Sequence, residues 1–548
     1  MARNSKVILA KGINLDNTYS NVLNYTENEM LTLLRSEEHL MYNGENYSFI
    51  RENENEISVQ VPYDVCLQSN YLAFQNTDYS NKWFFCFIKD IKYTSDKTTT
   101  ITYDVDVFST WFNSITVKPV FIEREHVNDD TPGIHTVPEG LETGDYIGSD
   151  VDSLEAVGNE YIIFQVINET TPNPSDPWES VPTRYGGIYS GCEYMIFDLA
   201  NAGRFIKYMD EEGKKDYIIN IFMYKGKLTE GTSYYITKEG SIVCQYTELQ
   251  TSTNAEFETD LLLYDSKPSQ VGYYQPVNKK LLTFPYCYIL ANNNAGTSKI
   301  YKYEDFDTTD IKFAKISTVC PGGSSIYYPM GYKMGRNYSS VINYNEGFVG
   351  AKFPVCSWTS DGYINWLTQS SVNREDTFKK DAGSILTAVG ATALGAATGS
   401  PTITMFGVSS LTQSVGGTVG DIMDNVKAKK EHQIAPLEIT GNVNAGDVVF
   451  AHFRSLPQFT KMFIKEEYAR IIDNFFTRFG YQINRVKTPN ITGRRYWNYV
   501  KIGATEDIGN GDIPNKFKDS LNQIFKNGTT IWHNHDNIGN FNLNNTII

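Results

Sequence analysis

The N-terminal part of the chain alternates apolar and polar residues as a strand with one buried face does. In TTTITYDVDV, at residues 98–107, Ile101, Tyr103, Val105 and Val107 alternate with polar positions, and the SDK tripeptide before them has the composition of a turn. FSTWFNS then predicts a short helix or turn. VKPVFIEREHV resumes an extended pattern, in which Pro119 indicates an edge strand or the entry to a strand.

The middle of the chain predicts further strands separated by long loops. Short apolar runs recur between turns at 161–271 and indicate a second β-rich unit, and CYILANNNAGTSKIYKY at 287–303 predicts a hairpin with an Asn/Gly turn. Residues 130–144 and 170–185 are rich in Gly and Pro. These two stretches predict a domain boundary and a long surface excursion.

The strongest helical pattern lies near the C-terminus, in KMFIKEEYARIIDNFFTRFG. Gly480 supplies its C-cap, and YQINRVK after it predicts a strand. Residues after Gly503 become rich in Asn and Gly and predict a peripheral tail. The apolar residues predicted to share one face of the helix are Ile464, Tyr468, Ile471, Ile472, Phe475 and Phe479.

One long segment breaks with both patterns. Between Asp381 and Asp421 the chain carries 39 residues without a charge, and Gly399, Ser400 and Pro401 divide them into two arms of 19. As α-helix each arm would span about 28 Å, near the roughly 30 Å of a bilayer's hydrocarbon core. The residues predicted to insert in a membrane are Ile385, Leu386, Val389, Leu394, Ile403, Met405, Phe406, Val408, Leu411 and Val415.

Small residues recur every fourth position in the first arm and would let helices approach closely in lipid. The small residues predicted to pack helices are Gly383, Ala391, Gly395, Gly399, Gly416 and Gly420. Gly, Thr and Ser dilute the apolar content, so one copy would insert poorly, whereas several copies together could shield one another. A buried helical hairpin and a flexible low-complexity loop are alternatives that the segment alone leaves open.

Composition narrows the class of protein. A chain of 548 residues suggests three or four domains, and an aromatic content of 14% favours a mainly β, β-rich α+β fold. The net charge of −16, with no basic stripe, excludes tight nucleic-acid binding and favours a surface that repels DNA. Seven scattered cysteines without a CxxC pair predict free buried thiols, and the N-terminus has no apolar core of signal-peptide length.

Catalytic and metal-binding patterns are weak. His533, His535 and Asp536 could form part of a metal site, but in an Asn-rich tail a solvated surface position is favoured. Residues 304–310 lack the glycine and distal Glu of a calcium loop, and the acids of 123–130 are expected to be solvated rather than paired for glycoside hydrolysis. We therefore predict no catalytic residue, no metal, no cofactor and no enzymatic activity.

Several stretches together resemble one family, the tail knob or distal tail tube proteins of picovirus-type short-tailed phages of Gram-positive bacteria. The resemblance covers roughly residues 9–148 and 350–503. It rests on the combination and order of LAKGINLDNTYSNVLNY, ISVQVPYDVCLQSNYLAFQN, NKWFFCFIKDIKY, DVDVFSTWFNSITVKPVFIEREHVNDD, HTVPEGLETGDY and ARIIDNFFTRFGYQINRVKTPNITGRRYWNYVKI.

The resemblance implies a hexameric hollow tube at the tail tip, built from two related β-barrel-like tube domains per chain with peripheral β-rich domains. Apolar loops, here 382–420, would plug the tube and then form a channel in the host membrane for the genome. The implied partners are five further copies of the chain, other tail and collar proteins, the host cell membrane, and genomic DNA that crosses the lumen without specific binding. The implied location is the virion, after assembly in the host cytoplasm.

The implied domain boundaries follow these motifs. The expected segments are a first tube domain at 1–130, a peripheral knob domain at 131–275, the second tube domain at 276–365 and 433–503, the membrane-active loop at 366–432 between its two parts, and a C-terminal tail at 504–548. Two other functions stay open: a stand-alone pore-forming toxin, for which the N-terminus offers no export signal, and a cell-wall-binding or cell-wall-degrading tail protein.

Overall fold

The fold was analysed in a computed structural model that describes residues 5–47, 55–76, 80–153, 160–167, 184–185, 188–189, 192–214, 217–228, 230–249, 255–293, 296–335, 340–353, 355–357 and 457–548. The chain divides into two compact units. Unit 1 comprises Met1–Tyr146, Ser269–Tyr286 and Ile464–Ile548, and unit 2 comprises Ile147–Pro268 and Cys287–Phe463. Each unit is therefore assembled from segments that are far apart in sequence.

Strands predominate in both units, as the aromatic and β-branched composition predicts. The first nine are β1 Ser5–Ala10, β2 Asn21–Leu23, β3 Leu40–Tyr47, β4 Glu56–Val59, β5 Tyr71–Asn76, β6 Lys82–Ser95, β7 Thr98–Val105, β8 Thr116–Val117 and β9 Val120–Glu125. The next eight are β10 Tyr146–Ser153, β11 Glu160–Ile167, β12 Arg184–Tyr185, β13 Ile188–Tyr189, β14 Cys192–Phe197, β15 Ile218–Lys225, β16 Glu230–Lys238 and β17 Ser241–Leu249. Then follow β18 Ala255–Tyr264, β19 Cys287–Asn292, β20 Ser298–Tyr301, β21 Ile311–Thr318, β22 Ser324–Pro329, β23 Phe348–Lys352, β24 Val355–Ser357, β25 Gln458–Ile464, β26 Tyr481–Lys487, β27 Trp497–Ile502, β28 Gly509–Asn510 and β29 Thr529–Trp532.

The helices of the described residues are short. They are α1 Glu27–Leu34, α2 Tyr63–Cys66, α3 Val107–Trp111, α4 Leu199–Glu211, α5 Glu466–Phe479 and α6 Asn515–Asn527. Three of them begin at side-chain caps, which satisfy backbone N–H groups that have no partner inside the helix. Thr26 and Glu29 form a reciprocal capping box on α1, and the carboxylates of Asp106 and Asp198 cap α3 and α4.

Unit 1 is built on two main sheets with one shared core. One sheet has the order β3-β1-β5-β6-β7-β4 and the other the order β2-β29-β27-β9-β26. The alternating stretch forms β7 only as far as Val105, because Asp106 caps α3 and Val107 is its first residue. The SDK turn before β7 is confirmed, and FSTWFNS forms most of α3 and a 3-10 turn, as predicted. Pro119 stands directly before β9, which lies between β27 and β26, so of the two alternatives it marks a strand entry.

The prediction of a peripheral tail after Gly503 is wrong. Residues 529–532 form β29, which pairs with β27 and runs parallel to β2. The ring centroids of Trp532 and Trp497 are 5.1 Å apart, both side chains are fully buried, and both belong to the core that also contains β1, β5 and β6. The Asn- and Gly-rich composition concealed one short apolar strand, whose burial is decided by long-range pairing.

The helical prediction near the C-terminus is right in type but wrong in extent and face. Ile464 belongs to β25, the helix begins at Glu466, and Ile471 is 65% exposed. The buried positions are Ala469, Ile472, Asp473 and Phe476, an i, i+3, i+4, i+7 stripe. Gly480 ends the helix with a positive φ of 65°, as predicted.

Asp473 makes this buried stripe possible although it carries a charge. Its carboxylate accepts hydrogen bonds from the backbone N–H groups of Val277 and Asn278, the Asn278 amide and the Tyr274 hydroxyl, at 2.7–2.9 Å. Burial of a carboxylate costs little only when such donors replace water. Asp473 therefore fixes α5 to the segment Ser269–Tyr286 of the same unit.

Unit 2 contains three larger sheets. Their orders are β16-β17-β14-β11-β15-β24, β18-β21-β22-β23 and β10-β25-β19-β20. The second β-rich unit and the hairpin β19–β20 are thus confirmed. Helix α4 packs against the six-stranded sheet through Ala202, Phe205 and Met209, which are almost completely buried.

Five of the seven cysteines are free thiols in the described part of the chain. Cys66, Cys86, Cys244 and Cys287 are buried and Cys320 is half-buried. Burial raises the pKa of each of these thiols, because the thiolate form loses its hydration. They are therefore poor nucleophiles at neutral pH.

Candidate functional site

The residues predicted for membrane insertion and helix packing lie in the segment 358–456, outside the described residues. This holds for the ten apolar residues of 385–415 and the six small residues of 383–420. The structure describes instead the chain at the two ends of this segment, with β23 and β24 before it and β25 after it.

Both ends are parts of sheets in unit 2. Before the segment, β23 pairs with β22, and β24 pairs with β15. After the segment, β25 pairs along its length with β19, from Gln458 opposite Asn292 to Phe463 opposite Cys287. Strand pairing fixes the backbone on both sides of 358–456 through hydrogen bonds that do not involve the segment.

Four buried aromatic side chains join the two ends; we call them the aromatic clamp. They are Phe313 of β21, Tyr327 of β22, Phe348 of β23 and Phe459 of β25. The Phe459 ring centroid lies 5.0 Å from that of Phe313, 6.1 Å from that of Phe348 and 6.4 Å from that of Tyr327. Each of the four side chains is at most 2% exposed, so side chains from both sides of the segment pack in one dry cluster.

The Phe459 backbone is held as firmly as its ring. The Tyr264 hydroxyl of β18 donates a hydrogen bond of 2.9 Å to the Phe459 carbonyl oxygen. Pro457, directly before the strand, is buried. Sequence reasoning missed Phe459 because it assigned KMFI to the helix, although KMFI forms the second half of the strand QFTKMFI. Pro457 was an available sign of a strand entry.

Two acidic residues of 123–130, Glu125 and Asp130, make structural contacts, and the predicted exposure is wrong for Glu125. Glu125 is fully buried, pairs with Lys487 and accepts a hydrogen bond of 2.9 Å from the Asn490 backbone. Asp130 accepts hydrogen bonds from the Tyr481 hydroxyl and the Lys279 backbone. These contacts tie the end of β9 and the residues after it to β26 and its neighbours within unit 1.

The loop 130–144 is likewise an internal anchor rather than only a surface connection. Its Glu139 side chain is 1% exposed and forms ion pairs with Arg124 and Lys280. Glu139 also accepts a hydrogen bond of 2.9 Å from the Gln482 backbone. Removing one member of such a buried cluster leaves an uncompensated charge, which is strongly destabilising.

His126 follows Glu125 and is held in one neutral tautomer. The Tyr499 backbone N–H donates to His126 Nδ1 at 2.7 Å, so Nε2 carries the proton and donates to the Thr477 carbonyl oxygen at 3.1 Å. Burial, with a smaller contribution from the Arg494 guanidinium, lowers the pKa of His126 to about 3. The folded unit 1 therefore excludes a second proton from this ring over a wide pH range.

The other candidate site residues do not converge on a ligand. His535 is 4% exposed, so the predicted surface position is wrong, whereas Asp536 is exposed. Burial lowers the pKa of His533 and of His535. Among the described residues no group of three His, Cys, Asp or Glu side chains is arranged to hold a metal, at 304–310 or elsewhere. No helix in the described part of the chain has the length and hydropathy to cross a membrane.

Comparison with known proteins gives matches over most of the chain. The family model of Bacillus phage phi29 tail knob protein gp9, C-terminal domain, matches residues 249–546, and that of the caudoviral major tail protein N-terminus matches residues 3–116. The gp9 tail knob proteins of Bacillus phages PZA and phi29 are each 26% identical, covering 91% of this chain and 90% of the relative. Gp9 of phage B103 is 23% identical over 92% of this chain and 91% of its own length.

A solved phage protein has a similar fold. The tail knob protein gp12 of bacteriophage C1 superposes with a TM-score of 0.61 at 15% identity, covering 99% of this chain and all of that one. A likeness at this identity concerns the fold. It agrees with the mainly β architecture that the sequence predicts.

The aromatic clamp predicts the effect of a substitution in unit 2. We expect Phe459→Ala to lower the free energy of unfolding of this unit by about 3–5 kcal/mol, because it leaves a cavity where three rings now meet. Phe257→Ala, on the neighbouring β18, is the matched control, since Phe257 is 47% exposed. Calorimetric unfolding of both variants measures the difference between their free energies of unfolding. Equal unfolding temperatures would show that Phe459 stabilises unit 2 no more than an exposed phenylalanine does.

The buried His126 predicts acid sensitivity of unit 1. The unfolded chain binds a proton at His126 below about pH 6.5, whereas the folded unit does so only near pH 3. The contribution of His126 to the free energy of unfolding is therefore fully present above pH 6.5 and decreases as the pH falls from 6.5 towards 3. At pH 5 the loss amounts to about 2 kcal/mol.

Thermal unfolding at pH 7 and pH 5 tests how much His126 contributes to the acid sensitivity of unit 1. His126→Gln should show a smaller difference between the two pH values than the unsubstituted chain, whatever its absolute stability. A nitrogen-15 spectrum of the unsubstituted chain gives an independent check. A doubly protonated His126 ring in folded protein at pH 5 would contradict the assignment.

Proposed function

The chain belongs to the family of the tail knob protein gp9 of Bacillus phage phi29, and we propose that it forms a hollow knob at the tail tip of a short-tailed phage. In this role it is a structural component of the virion, in contact with other tail proteins. Six copies would close into a tube, and residues 382–420 of each copy would plug it and later insert into the host membrane. The genome would then enter through the resulting channel.

The aromatic clamp is the observation that best supports this proposal. Phe348 and Phe459 meet in one buried cluster. The segment between them could therefore move to a new environment while β23 and β25 stay paired in their sheets. Both ends are also fixed by strand pairing to neighbours outside the segment. A segment that moves from a tube lumen into a membrane requires such an anchored base.

The composition of the segment supports membrane insertion. Its 39 residues carry no charge, so none has to be stripped of water in the bilayer, and each 19-residue arm suffices to span it as helix. Gly and Ser weaken the insertion of a single copy, but six copies would bring twelve arms together. Small residues at every fourth position would then allow these arms to pack closely.

The charge of the chain suits a conduit for DNA. A net charge of −16 repels the phosphate backbone, and a genome crosses a lumen fastest when nothing binds it. The same charge is unsuited to a protein that holds DNA in place. We therefore propose that DNA passes through the knob without specific contacts.

Dye release from liposomes between pH 5 and 7.5 tests the membrane role. The full chain should release dye, and a variant lacking 382–420 should not, because the insertion device is gone while both flanking strands remain. Leu394→Asp should reduce release at least tenfold, since an aspartate at the centre of a bilayer costs about 3 kcal/mol.

Ile242→Asp is the matched control for Leu394→Asp, because Ile242 lies outside the segment and is 64% exposed. It should release dye like the unsubstituted chain. Equal release by the full chain and the deletion variant would contradict the assignment to 382–420. Absence of release at every pH would make the segment a passive plug.

A further inference from the structure

A pocket of about 270 Å³ opens in unit 2, away from the aromatic clamp. It lies between α4 and the strands β16 and β17. Phe205 and Met209 of α4 form an apolar base and are each 1% exposed. Typical pockets for drug-sized ligands measure about 300–1,000 Å³, so this one suits a smaller molecule such as a single sugar ring.

Tyrosines form the sides of this pocket. Tyr234 and Tyr246 are directly opposite each other on β16 and β17, and their rings stack at a centroid distance of 5.5 Å and an angle of 27°. Tyr246 is buried and its hydroxyl donates to Glu193 at 3.4 Å, whereas Tyr234 is 43% exposed. The stack therefore presents Tyr234 to solvent as a platform that Tyr246 holds in place.

Such a platform is suited to a sugar. One face of a pyranose consists of C–H groups, which pack on the negative face of an aromatic ring, while its hydroxyls stay hydrated. A third tyrosine, Tyr208 of α4, also lines the pocket and offers a hydroxyl that can donate and accept. Tyrosine side chains lose little conformational entropy on binding, because only two side-chain angles have to be fixed.

The charge at the pocket favours an anionic ligand over a cationic one, although both kinds can pack on aromatic rings. Of the described residues that line it, Lys214 alone carries a charge at neutral pH. The acids Glu211 and Glu212 at the end of α4 form ion pairs with Lys238, at 3.4 and 2.9 Å. A quaternary ammonium ligand, which aromatic cages often bind, would be repelled by the positive charge of Lys214. A phosphate group would be attracted by it.

We propose that this pocket binds a phosphorylated sugar, with the ring on Tyr234 and the phosphate at Lys214. The site lies within residues 195–246 and does not depend on the role proposed for 382–420. It would give the knob a means of recognising an anionic saccharide.

Calorimetric titration of the full chain with glucose 1-phosphate, glucose and inorganic phosphate tests the proposal. Glucose 1-phosphate should bind saturably and roughly tenfold more tightly than glucose, as expected for a hydrogen bond between charged groups. Tyr234→Ala should abolish binding of both. Lys214→Gln should reduce glucose 1-phosphate to the affinity of glucose.

Two matched controls should bind like the unsubstituted chain. Lys207→Gln changes an exposed lysine of α4, and Tyr273→Ala changes a tyrosine that is 97% exposed; neither residue lines the pocket. Absence of saturable binding of glucose 1-phosphate would overturn the proposal. So would binding that both Tyr234→Ala and Lys214→Gln leave unchanged, or inorganic phosphate binding as tightly as the sugar phosphate.

Discussion

The packing of Phe459 against Phe313, Tyr327 and Phe348 is the contact on which unit 2 depends. It closes a loop of roughly 100 residues, whose ends meet at an entropic cost of about 4 kcal/mol by the logarithmic dependence on loop length. Burying one phenylalanine side chain contributes about 2–3 kcal/mol, so two of these aromatics already offset that cost. The aromatic clamp thus links the sheets β18-β21-β22-β23 and β10-β25-β19-β20 within unit 2.

Unit 1 uses polar contacts for the same purpose that unit 2 achieves with aromatic rings. Asp473, Glu125 and Glu139 are buried carboxylates, each held by several donors from distant parts of the chain. They connect α5, β9 and the loop 130–144 to the rest of the unit. Under the proposed function such a frame would have to stay folded while the segment 382–420 moves.

Local patterns predicted what is decided locally. The alternation around Ile101 and Tyr103 predicted β7, and Gly480 predicted the end of α5. Both features depend on a few neighbouring residues, the first through the two-residue period of a strand and the second through a positive φ that glycine adopts easily. Long-range partners decided the rest. Trp532 belongs to the core because it meets Trp497, and Asp473 is buried because Asn278 and Val277 supply donors, neither of which composition can reveal. The aromatic clamp was missed for the same reason, since Phe348 and Phe459 are far apart in sequence.

Hydrogen exchange of the full chain with and without liposomes tests most directly whether an anchored segment enters the membrane. The account predicts new protection of amides within 382–420 when liposomes are present, and unchanged protection of β23 and β25. Unchanged exchange across 382–420 during dye release would contradict it. Loss of protection in β23 and β25 would show instead that unit 2 opens, and that the clamp is not the fixed base proposed here.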